Sequence, residues 1–264
     1  WFRPHRQILM RGAVLGSGSK GNCLYVESGG VAILIDAGLS GKEITRRLAL
    51  IDRHPEQVAA IILTHEHSDH IVGVGVLSRR LSIPVYANRG TALGGEAKMG
   101  RLHAWHEFAS GDRLEIGPFN LHSFAISHDA SDPVGFVISD GDRRLACCTD
   151  TGCTTNLIRA RLTGCQAMVL EFNHDPDMLK NGPYPLELQQ RIRSRRGHLA
   201  NAQAGELLGE LIHDRLRHVV AAHLSETNNA PQLALAAARR ALGDWDGCLL
   251  AASQDQPTPL FEVG

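Results

Sequence analysis

The apolar run Val58-Ala59-Ala60-Ile61-Ile62-Leu63 leads directly into Thr64-His65-Glu66-His67-Ser68-Asp69-His70. An unbroken apolar run of this length predicts a strand buried on both faces. His65 and His67 stand two positions apart, so in extended backbone at the strand's end both imidazoles point the same way and can hold one cation. Asp69 and His70 fall at the turn into a helical pattern over His70–Leu81 and can face a second cation a few ångströms away. Imidazole combined with carboxylate suits zinc or manganese, and iron is also accommodated. A histidine-rich surface loop is the plain alternative; the position at a strand end argues against it.

Working outward, short strands are predicted upstream at Ala13–Leu15, Cys23–Glu27 and Val31–Asp36. Ser40 then precedes a helical pattern through Ile44, Leu48 and Leu50 as a possible N-cap. Pro84–Ala87 is another strand, and Leu121–Ile126, Val134–Ser139 and Arg144–Thr149 read as a meander. Ala167–Glu171, His218–Ala222 and Cys248–Ala251 are further strands among helices at Tyr184–Arg195, Ala202–His213 and Gln232–Leu242. This order predicts an α+β protein of two similar halves, packed sheet to sheet with helices outside. One domain is expected over 10–264. A chain that opens on Trp1 does not open on a native start; Met10 fits one, and residues 1–9 are expected to be a leader outside the fold.

The chain has 264 residues, a formal net charge of -1, 43% hydrophobic and 21% charged residues. These values exclude disorder, collagen-like repeats and coiled coil. The near-neutral balance argues against a basic nucleic-acid coat but permits a local patch. No apolar run reaches the roughly 20 residues of a membrane span, and Trp1–Met10 lacks the apolar core of a secretory signal. No membrane contact is therefore expected. The six cysteines form no CxxC pair, which places reduced thiols in a cytoplasm. Fourteen histidines is a marked excess and points to metal chemistry.

Gly16-Ser17-Gly18-Ser19-Lys20-Gly21 has the literal GxGxxG form, with Asp36 placed as a ribose ligand would be. A dinucleotide fold needs a helix opening at the last glycine. The next residues, Asn22–Glu27, are strand-like, so a glycine-rich hairpin turn is the better reading. The same loop could lie near the active site and offer amides to a phosphate.

Two-metal sites need further ligands, usually with a carboxylate between the ions. His128, Asp150 and His223 each follow an apolar strand directly. Any one alone would read as a turn residue; three in one context point to a joint site.

His65-x-His67-x-Asp69-His70 with His128, Asp150 and His223 at these spacings resembles the metallo-β-lactamase fold superfamily. Gly16–Asn22, Glu171-Phe172-Asn173-His174-Asp175, Gly197-His198-Leu199-Ala200-Asn201 and His223–Asn229 resemble its YycJ/WalJ-type exonuclease branch, which is related to RNase Z. The resemblance implies a four-layer αβ/βα sandwich and two bound divalent ions. His65, His67 and His128 would bind one, Asp69, His70 and His223 the other, and Asp150 would bridge. Asp36 looks like the family's buried Asp behind the metal loop. Asp150 separates this chain from the many β-lactamases with Cys in that slot, and His67 from the diiron flavoproteins, so antibiotic hydrolysis has no support.

The expected function is a phosphodiesterase, a 5′-to-3′ DNA exonuclease in which a metal-bridging hydroxide attacks. The alternative is a thioester or lactone hydrolase of the glyoxalase II kind. Asp69 is a candidate to accept the proton of the attacking water. His198 is the first candidate to protonate the leaving group and His174 the second. Arg191, Arg193, Arg195 and Arg196 form a basic cluster that suits a polyanionic strand or simply a solvated helix face. The oligomeric state is left open.

Overall fold

The computed structural model describes residues 9–264. The expected leader therefore lies outside the described residues, apart from Leu9. Strands β1 (Arg11–Gly16), β2 (Cys23–Ser28), β3 (Val31–Ile35), β4 (Val58–Ile62), β5 (Pro84–Asn88) and β6 (Ala104–Phe108) form one sheet. A second sheet holds β7 (Arg113–Ile116), β8 (Phe119–Ala125), β9 (Val134–Asp140), β10 (Arg143–Cys148), β11 (Ala167–Glu171), β12 (His218–Ala222) and β13 (Cys248–Ala251). The last strand, β14 (Phe261–Glu262), returns to pair antiparallel with β1 and brings the first sheet to seven strands. Each sheet opens as an antiparallel meander and continues parallel, from β3 in the first and from β10 in the second.

The helices are α1 (Gly41–Leu50), α2 (Ser68–Ile71), α3 (Val74–Leu81), α4 (Arg89–Met99), α5 (Asn156–Leu162), α6 (Pro176–Asn181), α7 (Leu186–Arg193), α8 (Asn201–Glu210) and α9 (Pro231–Leu242). Side-chain alternation along the strands builds the layers. In β3, Ile33 and Ile35 point inward to a core shared with Phe119, Phe136 and Val169 of the opposite sheet. Ala32 and Leu34 point outward, where Ile44 and Leu48 of α1 and Leu77 of α3 cover them. The second sheet does the same with Met168 and Leu170 under Leu162 of α5, Leu208 of α8 and Ala238 of α9. Helix, sheet, sheet and helix make the expected four layers. Burial on both faces is why β4 reads as an unbroken apolar run.

Ser40 caps α1 as expected, its Oγ accepting from Glu43 N at 3.2 Å. The helix expected over His70–Leu81 is two helices instead, α2 and α3, parted at Val72 and Gly73. Gly73 donates its amide to Ala37 O at 2.7 Å, and a Cβ there would lie 2.2 Å from Leu39 O. The chain must cross its neighbour closely at that point, which interrupts the helix. The glycine-rich loop joins β1 to the antiparallel β2, so no crossover helix exists and the dinucleotide reading is excluded. Among the described residues no helix is long and apolar enough to cross a membrane.

Candidate metal centre

The ligand-type residues all sit where strands end. His65, His67, Asp69 and His70 follow β4, His128 follows β8, Asp150 follows β10 and His223 follows β12. Asp36, Asp150 and His223 have left-handed backbone, with φ of 61°, 59° and 54°. Non-glycine residues adopt it rarely, and it gathers at functional sites where surrounding contacts hold it.

The structure brings all seven together. The ligand atoms of His65, His67 and His128 lie within 4.8 Å of one another, and so do those of Asp69, His70 and His223. Asp150 stands between the two triads. Its Oδ1 is 3.2 Å from His223 Nε2 and 4.0 Å from His128 Nε2, and its Oδ2 is 3.5 Å from His70 Nε2. Among the described residues, every group of three or more such side chains close enough to share an ion involves this cluster.

The donor set fits divalent cations. His65 Nε2, His223 Nε2 and Asp150 Oδ2 are buried without a hydrogen-bond partner. An unpaired buried polar atom is costly, and cations held in the two triads, with Asp150 between them, would satisfy all three. Burial, reinforced by neighbouring His70 and His128, pushes the His65 imidazole well below its ordinary range. The ring is thereby kept neutral, the form that ligates metal.

A further set of residues orients these rings. Asp36 accepts from Thr64 N at 2.8 Å and Thr64 Oγ1 at 2.7 Å, and its Oδ2 lies 2.7 Å from His70 Nδ1, which aims His70 Nε2 at the cluster. Asn22, from the glycine-rich loop, donates to Asp69 Oδ2 at 3.2 Å. Glu171 ends a predicted strand and opens one of the branch motifs, and the sequence assigns it no role; here it is buried inside the site. Its Oε1 is 2.7 Å from His198 Nδ1 and 3.2 Å from His223 Nδ1, while its Oε2 accepts from Thr151 N and Leu199 N. Burial alone would raise the Glu171 carboxyl; the charge and hydrogen bonds of His198 and His223 hold it below the ordinary carboxylate range instead.

His198 lines the cleft over the cluster, its ring centroid 5.1 Å from those of His128 and His223. His174 does not line it. Its backbone is bridged to Ala200, and its ring is buried beside the site. Burial lowers the His174 imidazole to about 4, which favours its neutral form near pH 7. The cleft has a volume of about 250 Å³, with Tyr184, Leu188, Arg191 and Ile192 along one wall. Of the basic cluster only Arg191 lines it, paired with Asp129 Oδ2 at 2.5 Å.

The family model described as "Beta-lactamase superfamily domain" matches residues 32–223. The exodeoxyribonuclease YycJ of Bacillus anthracis is 40% identical over 84% of this chain and 85% of its own. The exodeoxyribonuclease WalJ of Streptococcus pneumoniae serotype 2 is 37% identical over 97% of this chain and 99% of its own. The solved structure of the metallo-beta-lactamase fold protein YhfI of Bacillus subtilis shares the fold, with a TM-score of 0.75 at 18% identity over 97% of this chain and all of that one. The chain belongs to the beta-lactamase superfamily and, within it, to the family of the YycJ and WalJ exodeoxyribonucleases.

Proposed function

We propose that this protein is a 5′-to-3′ DNA exonuclease dependent on two divalent ions, zinc or manganese. The observation that carries the reading is the pair of triads joined by Asp150 on the floor of a cleft. Relatives named exodeoxyribonucleases over more than four-fifths of both chains support DNA as the substrate. The free cysteines fit a cytoplasmic setting.

In this reading His65, His67 and His128 hold one ion, Asp69, His70 and His223 the other, and Asp150 faces both. When bound, the ions supply Lewis acidity that activates water and neutralises phosphate charge. Asp36 and Glu171 fix the ring orientations beforehand, so little reorganisation is left for the reaction. Asp69 Oδ2 is placed to take up the proton that water gives up as its oxygen bonds to phosphorus. His198, gripped at Nδ1 by an ionised Glu171, is placed to give a proton to the departing oxygen as its bond to phosphorus breaks. Aromatic residues are only 5% of the chain, so there is no extended stacking platform, contact with the strand is mainly to its backbone and sequence preference is weak.

The test offers the protein 5′- and 3′-labelled DNA with Mn²⁺ or Zn²⁺, beside a thioester. From the native chain the 5′ label should leave in the first cut, while 3′-labelled strands shorten stepwise. Asp69→Ala should lose essentially all activity, and His198→Ala should keep its metal but cut slowly. Turnover of the thioester without cleavage of DNA would transfer the assignment to the small-molecule alternative.

A further inference from the structure

Helix α7 turns Leu188 and Ile192 to the cleft and not to the core. Its one buried residue is the polar Gln189, whose Nε2 donates to Tyr184 O at 2.9 Å. Leu188, Arg191 and Ile192 share one helical face by their spacing, and all three line the cleft with Tyr184 just ahead of them. Pro183 and Pro185 bracket Tyr184. Each has a fixed φ, so the ring is presented from stiff backbone and loses little freedom on contact. The floor below is wholly polar: His67, Asp69, His128, Asp150 and His223.

A phosphodiester needs only that polar floor. A wall of tyrosine, leucine and isoleucine against it matches a molecule with an anionic part and a flat apolar part. Arg191 supplies charge to the same wall. Its side chain is 62% exposed and is held by the Asp129 carboxylate, a partner that a phosphate can replace in kind.

We infer that Tyr184, with Leu188 and Ile192, seats an unpaired nucleobase of the strand being cut, while Arg191 moves from Asp129 to a phosphate of that strand. This rests on the nuclease reading above. A base inside a duplex has both faces stacked and its edge paired, so the terminal pair must open before its base can lie on the wall. The substrate class is thus a single-stranded or frayed DNA end. Every base offers a π-face, so stacking of this kind tolerates any sequence, as stepwise digestion requires.

The experiment uses the metal-loaded protein and 3′-labelled single strands, one intact and one with abasic residues at its two 5′-terminal positions. Affinity is read on phosphorothioate versions that resist cleavage, and cutting on the ordinary ones. The native chain is expected to prefer the intact strand by roughly 5- to 150-fold, the range of one stacked base. Tyr184→Ala should abolish that preference and Tyr184→Phe should keep it. Arg191→Gln should weaken both strands equally and reduce the slope of log affinity against log salt by about 0.7, one phosphate contact on a single strand. Equal binding of both strands by the native protein would overturn the inference, as would undiminished preference in Tyr184→Ala or its loss in Tyr184→Phe. Cleavage without discrimination would remove the base seat and leave the nuclease; discrimination without cleavage would do the reverse.

Discussion

Glu171 and His198 form a pair at the back of the cleft, with Oε1 2.7 Å from Nδ1 and the carboxylate fully buried. The same oxygen lies 3.2 Å from His223 Nδ1. One acid thus orients both a ring that lines the cleft and a ring of the second triad. Glu171→Gln keeps the shape and removes the charge. It should lower kcat by roughly 10²- to 10⁴-fold and weaken metal binding by roughly 10- to 100-fold. Activity at saturating metal separates the two effects.

Asp36 supports the same triad from the other side, through His70. Asn tolerates the left-handed backbone at φ 61°, so Asp36→Asn should fold. Without the carboxylate on His70 Nδ1, metal affinity should fall roughly 10- to 100-fold in competition with a chromophoric chelator.

Chelation should abolish activity and lower Tm, because His65 Nε2, His223 Nε2 and Asp150 Oδ2 lose the partner that satisfies them. Free metal at 100 times its Kd adds about 2.7 kcal/mol to folded-state stability. Thermal melts with and without added metal check this; identical curves would speak against occupancy of the cluster.

Gly38 touches the metal loop from behind. A Cβ there would lie 1.6 Å from Asp69 O, the same carbonyl that accepts from Asn22 N at 2.7 Å. Gly38→Ala must displace Asp69, so it should cost more than the roughly 1–3 kcal/mol of ordinary overpacking. Denaturant melts and metal content measured together check it.

Glu27 gives a pH signature remote from the cleft. Arg53 Nη2 donates to its Oε1 at 2.7 Å and Tyr25 to its Oε2 at 2.7 Å. Burial opposes ionisation, but the Arg53 and Tyr25 hydrogen bonds prevail and hold the carboxyl below its ordinary value of 4.5. The folded state therefore favours the ionised form. Its contribution is present above 4.5 and is lost as pH falls through the lower folded value. Glu27→Gln should cost roughly 1–3 kcal/mol at pH 7, and the gap from the native chain should narrow steadily below pH 4.5. Urea melts across that range measure it.

What could be read in advance was local. The run into His65 and His67 carried both the strand and the ligand spacing within a dozen residues. Glu171 could not be separated from strand core, because its partners His198 and His223 lie 27 and 52 positions away. His174 and His198 both follow structured segments, and only the fold shows which ring reaches the cleft. Helix α4 escaped notice because Gly90, Gly94 and Gly95 make it a poor helix former; Asn88 starts it by accepting from Thr91 N at 2.9 Å. Strand β6 carries the exposed Trp105 and mixed polarity at a sheet edge. Strand β14 spans two residues and pairs with β1 at the other end of the chain, where no local pattern exists.

Each triad draws two groups from the loops of the first sheet and one from the loops of the second: His65 and His67 with His128, Asp69 and His70 with His223. Bound ions would therefore act as a clasp across the seam of the sandwich, fastening one half to the other. A chain with only its first half folded would offer incomplete grips, so tight metal capture would be a late event in folding and would report that the halves have docked.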